Sequence, residues 1–469
     1  MTKTADMTYT ETGPERRGLL GALGDRLAFA ASAPFFFVAS FFTYYGQLNR
    51  VEGADTWGPI YTALALVKRH TIWLDAYFPI LQQHAGEHPY FVTTGPGGHL
   101  VQAVPGASTL LAVPVVAVFS AAGVDPSHFG TWLEAGLLTA ALVAAATVAL
   151  AFRLLLRLTT RRRAALLTAA FAWGTLQWGI SGQALWQHTG ATLALVIALI
   201  AFVDRRLALA GAMLGAMVAF RLNTAALAIF LVPLVGLRLR DWGRFALGLS
   251  PYVAAWLAYN AVAYGSPLHQ GYGTGHLTQE ITPHVGQTAR AALALLVSPG
   301  RGLFVYMPIF LFAVVGVIRG WRRPLYLWSG IASLVYLVVA ANAGVWYGGQ
   351  CFGPRRLTDA LPLLVVLLVP ALDAIVATGW RWLFAAALAW SVFVELLGAA
   401  ATPPSYWFDT HPEPIAFAAW WKPGDNEIEA KLLHGAHLPV RLTETVLLLA
   451  FALALGYVTS VMLAARRRA

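Results

Sequence analysis

This chain is short of charge, has a single cysteine, and contains none of the motifs that mark nucleotide, zinc or serine chemistry. Each shortage excludes something. Charged residues make up 12% of its 469 residues, about half the share of an ordinary soluble domain, which excludes a water-facing globule. The lone Cys351 excludes an intramolecular disulfide and a cysteine-based zinc site. No P-loop, dinucleotide-binding fingerprint, HExxH or GxSxG occurs. What is present is apolar: 58% of the residues are hydrophobic and the mean hydropathy is +0.63. That composition predicts an all-α polytopic membrane protein, because only helices or closed barrels satisfy their backbone in lipid.

Apolar runs lie near 27–48, 103–122, 132–153, 164–181, 188–203, 207–220, 223–237, 245–263, 303–318, 325–343, 361–378, 383–400 and 442–463. The first begins near Arg26 and is as long as a full span, so no cleavable signal is expected. The net charge of +10 does not point to nucleic acid, because the arginines sit in short loops between runs and read as topology determinants. They cluster at Arg16/Arg17/Arg26, Arg153/Arg157/Arg161/Arg162/Arg163, Arg205/Arg206, Arg238/Arg240/Arg244, Arg319/Arg322/Arg323, Arg381 and Arg466/Arg467/Arg468. Placing them all in the cytoplasm makes 103–122, with Pro105 and Pro114, a re-entrant or juxtamembrane element. It leaves about 12 crossings, or 13 if that run also spans. Residues 1–26 and 464–469 are then cytoplasmic tails of a transmembrane domain over 27–463.

The same topology gathers the other polar residues on the non-cytoplasmic face: the first external loop 49–102, Gln183 to His188, Arg221, the loops 264–302 and 344–360, and the segment 401–441. An external active surface open to a lipid-embedded substrate follows. In the first loop, Glu52 and Asp55 precede the stretch Ile60 to His70, whose mixed apolar and basic character predicts an interfacial helix. Asp55 or Thr56 can cap that helix. Alternatively, a carboxylate facing an external cavity can take a proton from a hydroxyl nucleophile.

A short acidic motif after the first span, an interfacial helix, the segment Thr94-Gly95-Pro96-Gly97-Gly98-His99 and then many spans resemble the GT-C superfamily of polyprenyl-phosphate-sugar-dependent glycosyltransferases. The likeness is greatest to its protein mannosyltransferase-like (family 39) and aminoarabinose transferase branch. It covers most of the chain as a layout and only a few motifs in detail. It implies that Asp55 is the catalytic base. Where relatives place a second acid, after Gln183-Ala184-Leu185-Trp186-Gln187, this chain has His188. Where they have an acid pair after the first span, it has Glu52 and Asp55.

Ser298-Pro299-Gly300-Arg301-Gly302-Leu303 and the loop Trp346-Tyr347-Gly348-Gly349-Gln350-Cys351-Phe352-Gly353-Pro354-Arg355-Arg356 also look like bacterial members of this group. Glycine turns that expose backbone N–H groups beside guanidinium suit a phosphate, so Gly300, Arg301, Arg355 and Arg356 are candidate donor-phosphate residues. The alternatives are, for Arg301, shaping a turn and contacting headgroups and, for Arg355 and Arg356, headgroup contacts or a salt bridge to Asp359. Glu52, Gln183, His188, Arg221, His269, Tyr272, Trp346, Tyr347 and Gln350 are candidates for the sugar or acceptor, although the aromatics also fit an interfacial belt. Glu395 falls inside an apolar run and should face protein. No cofactor is required on this account, unless a divalent metal binds at His269, His276 and His284, whose spacing is not diagnostic. The function expected is transfer of a sugar, with inversion, from a polyprenyl-phosphate donor to a hydroxyl of a glycan, lipid or protein outside the plasma membrane. A lipid-linked saccharide flippase and a non-catalytic envelope-assembly protein are the alternatives.

Overall fold

The computed structural model describes residues 32–48, 53–271, 285–401, 405–411, 415–435 and 437–466. The described parts of the apolar runs fall largely on helices. Six are long and apolar enough to cross a membrane: Phe129–Leu155, Leu239–Tyr264, Pro324–Asn342, Arg355–Thr378, Arg381–Ala400 and Leu438–Met462. Shorter apolar helices are Ala33–Tyr45, Ala107–Ala121, Gln187–Val203, Leu207–Phe220, Leu222–Val235 and Pro308–Gly320. The run 103–122 becomes the 15-residue helix Ala107–Ala121 with Pro114 inside, short of the roughly 20 residues a span needs. In the membrane window of Arg355–Thr378, 72% of residues are buried, against 11% in Leu239–Tyr264 and 22% in Leu438–Met462. The first is therefore central and the other two peripheral, leaving apolar faces for lipid.

Three helices define two ends of this bundle. Gln187–Val203 starts beside His188 and is followed by Asp204, Leu207–Phe220 is preceded by Arg206 and followed by Arg221, and Leu361–Thr378 runs from just after Asp359 past Asp373. At one end the arginine clusters pair with single acids: Arg157 with Asp204 at 2.7 Å, Arg163 with Asp373 at 2.6 Å and Arg205 with Asp241 at 3.0 Å. The other end carries His188, Arg221 and Asp359.

The first loop folds into a body of its own. Helices Trp57–Arg69 and Phe78–Ala85 join a two-stranded antiparallel hairpin, Val92–Thr94 with Leu100–Gln102, a small departure from an all-α chain. Its turn is the Gly95 to Gly98 stretch, where Gly97 and Gly98 adopt φ of 71° and 81°, which side chains disfavour. Trp57, Ile60, Tyr61, Leu64, Phe91, Phe129 and Trp132 build a small core here, separate from the core of the bundle. The helix expected on the membrane surface is instead buried along its first nine residues, Trp57 to Ala65, under Ala107–Ala121 and against Phe129–Leu155. Only its basic last turn, Lys68 and Arg69, reaches outward. The two cores meet at consecutive residues: Leu185 belongs to the small one and Trp186 to the large one.

Candidate active site

The seam between the cores holds the site. On the first-loop side, Ala54–Thr56 forms a single tight turn before the Trp57–Arg69 helix. Asp55 does not cap that helix, and Thr56 turns its hydroxyl back to the Gly53 carbonyl at 2.8 Å. Asp55 instead points across the seam. Its Oδ1 accepts from the Tyr90 hydroxyl and its Oδ2 from Arg355 Nη2, each at 2.7 Å. Burial alone would raise the Asp55 pKa, but the Arg355 charge and the Tyr90 hydrogen bond hold the carboxyl below its ordinary range.

Arg355 comes from the turn Arg355–Ala360 that leads into the central helix. Its guanidinium lies over the Trp186 ring, 4.0 Å from the centroid, a cation–π contact that fixes its plane. The same ring also meets Gly53, where a Cβ would fall 1.9 Å from the indole. Only glycine lets the chain pass there two residues ahead of Asp55.

Behind Arg355 the polar chain continues inward. Arg355 Nε and Arg221 Nη1 approach His188 Nε2 at 3.4 and 3.3 Å, and His188 Nδ1 lies 3.0 Å from Asp359 Oδ1. Arginine only donates, so Nε2 is the acceptor and Nδ1 carries the proton given to Asp359. Asp359 Oδ2 also lies 3.1 Å from Arg221 Nε, in an ion pair, and accepts from the Tyr336 hydroxyl. His188, Asp359 and Tyr336 are buried. Two carboxylates thus face two guanidiniums across one neutral imidazole, with Asp55 and Arg355 at the more accessible end. The salt bridge that sequence proximity suggested between Asp359 and Arg355 is not the one formed: Asp359 pairs with Arg221 and His188, and Arg355 reaches Asp55.

No family model matches the chain, and no curated protein or solved structure matches it. The residues and their geometry therefore carry the functional assignment.

Arg301 forms a second centre. It is fully buried, and its N–H groups go to Glu427, to the Tyr347 carbonyl at 3.0 Å, and to the Gly349 and Gly300 carbonyls at 3.2 Å. Its guanidinium carbon lies 4.6 Å from the centroid of the Trp420 ring. Glu427 also accepts from Tyr306 and from the Gly353 N–H, both at 3.1 Å. Gly353 has a φ of 69°, and that conformation turns its N–H toward the carboxylate. Arg301 thus ties the loops 298–302 and 344–353 to the Glu427–His434 helix, withdrawn from solvent where a phosphate would bind. Gly300 gives its N–H to Trp420.

The remaining candidates divide. Trp346 and Tyr347 pack on Trp420, with centroids 5.8 and 5.0 Å away, and are buried. Gln350 is exposed on the same loop, and Arg356 donates to the Val345 carbonyl at 2.7 Å. Gln183 is buried after a π-helical turn, Gln177–Ser181, where Glu395 accepts from the Gly179 N–H at 3.3 Å. His269 lies in a turn whose Gly271 packs on Ala103, outside the Arg355 chain of contacts. Glu52, Tyr272, His276 and His284 lie outside the described residues. Among the described residues no group of three or more His, Cys, Asp or Glu stands ready to hold a metal ion. Tyr90, Trp186, Tyr336, Glu427 and Trp420 join these two centres without standing among the sequence's candidate site residues. Trp186 alone had a signal there, its place in the segment leading to His188.

Proposed function

We propose that this protein is an integral-membrane glycosyltransferase of GT-C type that moves a sugar from a polyprenyl-phosphate donor to a hydroxyl acceptor. Transfer takes place on the external face of the plasma membrane. The observation that carries the proposal is the Asp55–Arg355 pair: a carboxylate and a guanidinium side by side at the end of the bundle away from the basic clusters. A positive-inside orientation puts that end outside.

In this reaction Asp55 takes the proton of the acceptor hydroxyl as its oxygen attacks C1 of the sugar. The bond from C1 to the phosphate oxygen breaks, C1 inverts, and the lipid monophosphate leaves. Arg355 and Arg356, adjacent on one turn, neutralise the charge that develops on it. His188, Arg221 and Asp359 keep Arg355 oriented from behind. The phosphate role expected of Arg301 passes to these two residues, because Arg301 is spent inside the protein. Gln350, exposed on the same loop, is placed to meet the sugar or the acceptor.

Asp55→Asn tests the proposal. It keeps the side-chain shape and removes the base, so transfer to a hydroxyl acceptor in proteoliposomes should fall by about a thousandfold or more, with thermal stability close to that of the parent. Transfer at the parental rate would refute the assignment of the base.

A further inference from the structure

We infer that Asp55 and the donor phosphate use Arg355 in turn: in the free protein Arg355 holds Asp55, and an arriving lipid phosphate draws the guanidinium away and releases Asp55 to act as base. This rests on the glycosyltransferase proposal above and adds an order to it, donor first.

Arg355 Nη2 lies 2.7 Å from Asp55 Oδ2, and the two side chains are 15% and 16% exposed, so a ligand can reach the pair. A phosphate monoester offers Arg355 two oxygens and more negative charge than one carboxylate, and guanidinium binds such an anion in two-pronged fashion. The exchange needs little motion. The cation–π contact with Trp186 and the approach of Nε to His188 at 3.4 Å can persist while the outer nitrogens change partner. Asp55 also keeps a support when Arg355 leaves, because Tyr90 holds its other oxygen at 2.7 Å.

The exchange has a chemical consequence. A carboxylate in contact with guanidinium is a weak base, and losing that neighbour makes it a stronger one. The base is therefore quiet until the leaving group is seated. Tyr90 enters as a positioning residue for the released carboxylate.

The test measures binding of a polyprenyl monophosphate to the full-length protein in nanodiscs, with the free polyprenol as control. If phosphate must displace Asp55, Asp55→Asn binds it more tightly than wild type by about three- to tenfold, and binds the polyprenol no differently. Wild-type binding with equal or weaker binding by Asp55→Asn overturns the exchange and leaves the lipid-phosphate site standing. Failure of the wild type to prefer the phosphate over the polyprenol overturns the site and the exchange together. A readout on the unaltered protein guards against misfolding of the variant: carbodiimide modification of Asp55, followed by peptide mass spectrometry. Adding the lipid phosphate should accelerate it, whereas unchanged or slower modification counts against release.

Discussion

Arg301 and Arg355 look alike in sequence and differ in the fold. Both sit at glycine-bearing turns, both lie over a tryptophan ring, at 4.6 and 4.0 Å, and both pair with a carboxylate far along the chain. The Arg301 and Glu427 side chains are 0% and 3% exposed, and the guanidinium meets three backbone carbonyls besides. Arg355 and Asp55 are 15% and 16% exposed, and the Arg355 guanidinium donates to the Asp55 carboxylate and the His188 ring, side chains that can themselves exchange partners. An arginine spent on its own backbone organises a loop. One held by a reachable carboxylate can be claimed by another anion.

The largest effect expected from this difference is on folding. Arg301→Ala leaves Glu427 buried and without its guanidinium partner, a change that typically costs about 3–5 kcal/mol. The unfolding temperature in detergent should drop sharply, and transfer should be lost with the structure. Arg301→Ala that melts like the parent and loses only donor affinity would erase the distinction between the two centres. The effect at Arg355 is smaller on stability and specific to activity. Arg355→Ala should lower transfer by about a hundredfold or more through the lost charge on the leaving group, while the melting temperature shifts little. Arg355→Lys should recover part of that, because lysine supplies charge without the fork. Steady-state transfer rates beside melting curves for the same preparations decide it.

How much of this was legible in the sequence follows from what each residue depends on. The helices were legible because apolar runs in lipid have few other ways to satisfy their backbone. Asp55, His188 and Arg355 stood out because charge and imidazole are unusual beside such runs, and the structure puts all three into one chain of contacts. Pairing was not legible. Arg355 finds Asp55 300 positions away and Arg301 finds Glu427 126 positions away, separations that only packing closes. The burial of Trp57 to Ala65 was also hidden. A basic last turn imitates a surface helix, and the cover comes from Ala107–Ala121.

The charge balance of the two centres separates them once more, in a weaker effect that responds to pH. Around Asp55, two guanidiniums face two carboxylates. Around Arg301, the single carboxylate Glu427 serves both Arg301 and Lys431, and Lys431 is 5% exposed with its Nζ donating to the Ala401 carbonyl at 2.6 Å. Burial pushes the Lys431 ammonium down to about 8, with Glu427 opposing the shift. In the unfolded chain lysine holds its proton to about 10.4. Between these values the unfolded state binds more protons, so stability rises with pH, by at most about 1.4 kcal/mol per pH unit for one group. Below pH 8 the cost of burying the ammonium is fully present, and it is relieved as pH climbs through 8. Melting temperatures followed from about pH 7 to about pH 10 should carry this upward contribution in the parent and lose it in Lys431→Met. Equal pH profiles for the two proteins would mean that Lys431 keeps its proton inside the fold. Glu427 would then hold two cations at once, and the contrast with the balanced Asp55 centre would rest on exposure alone.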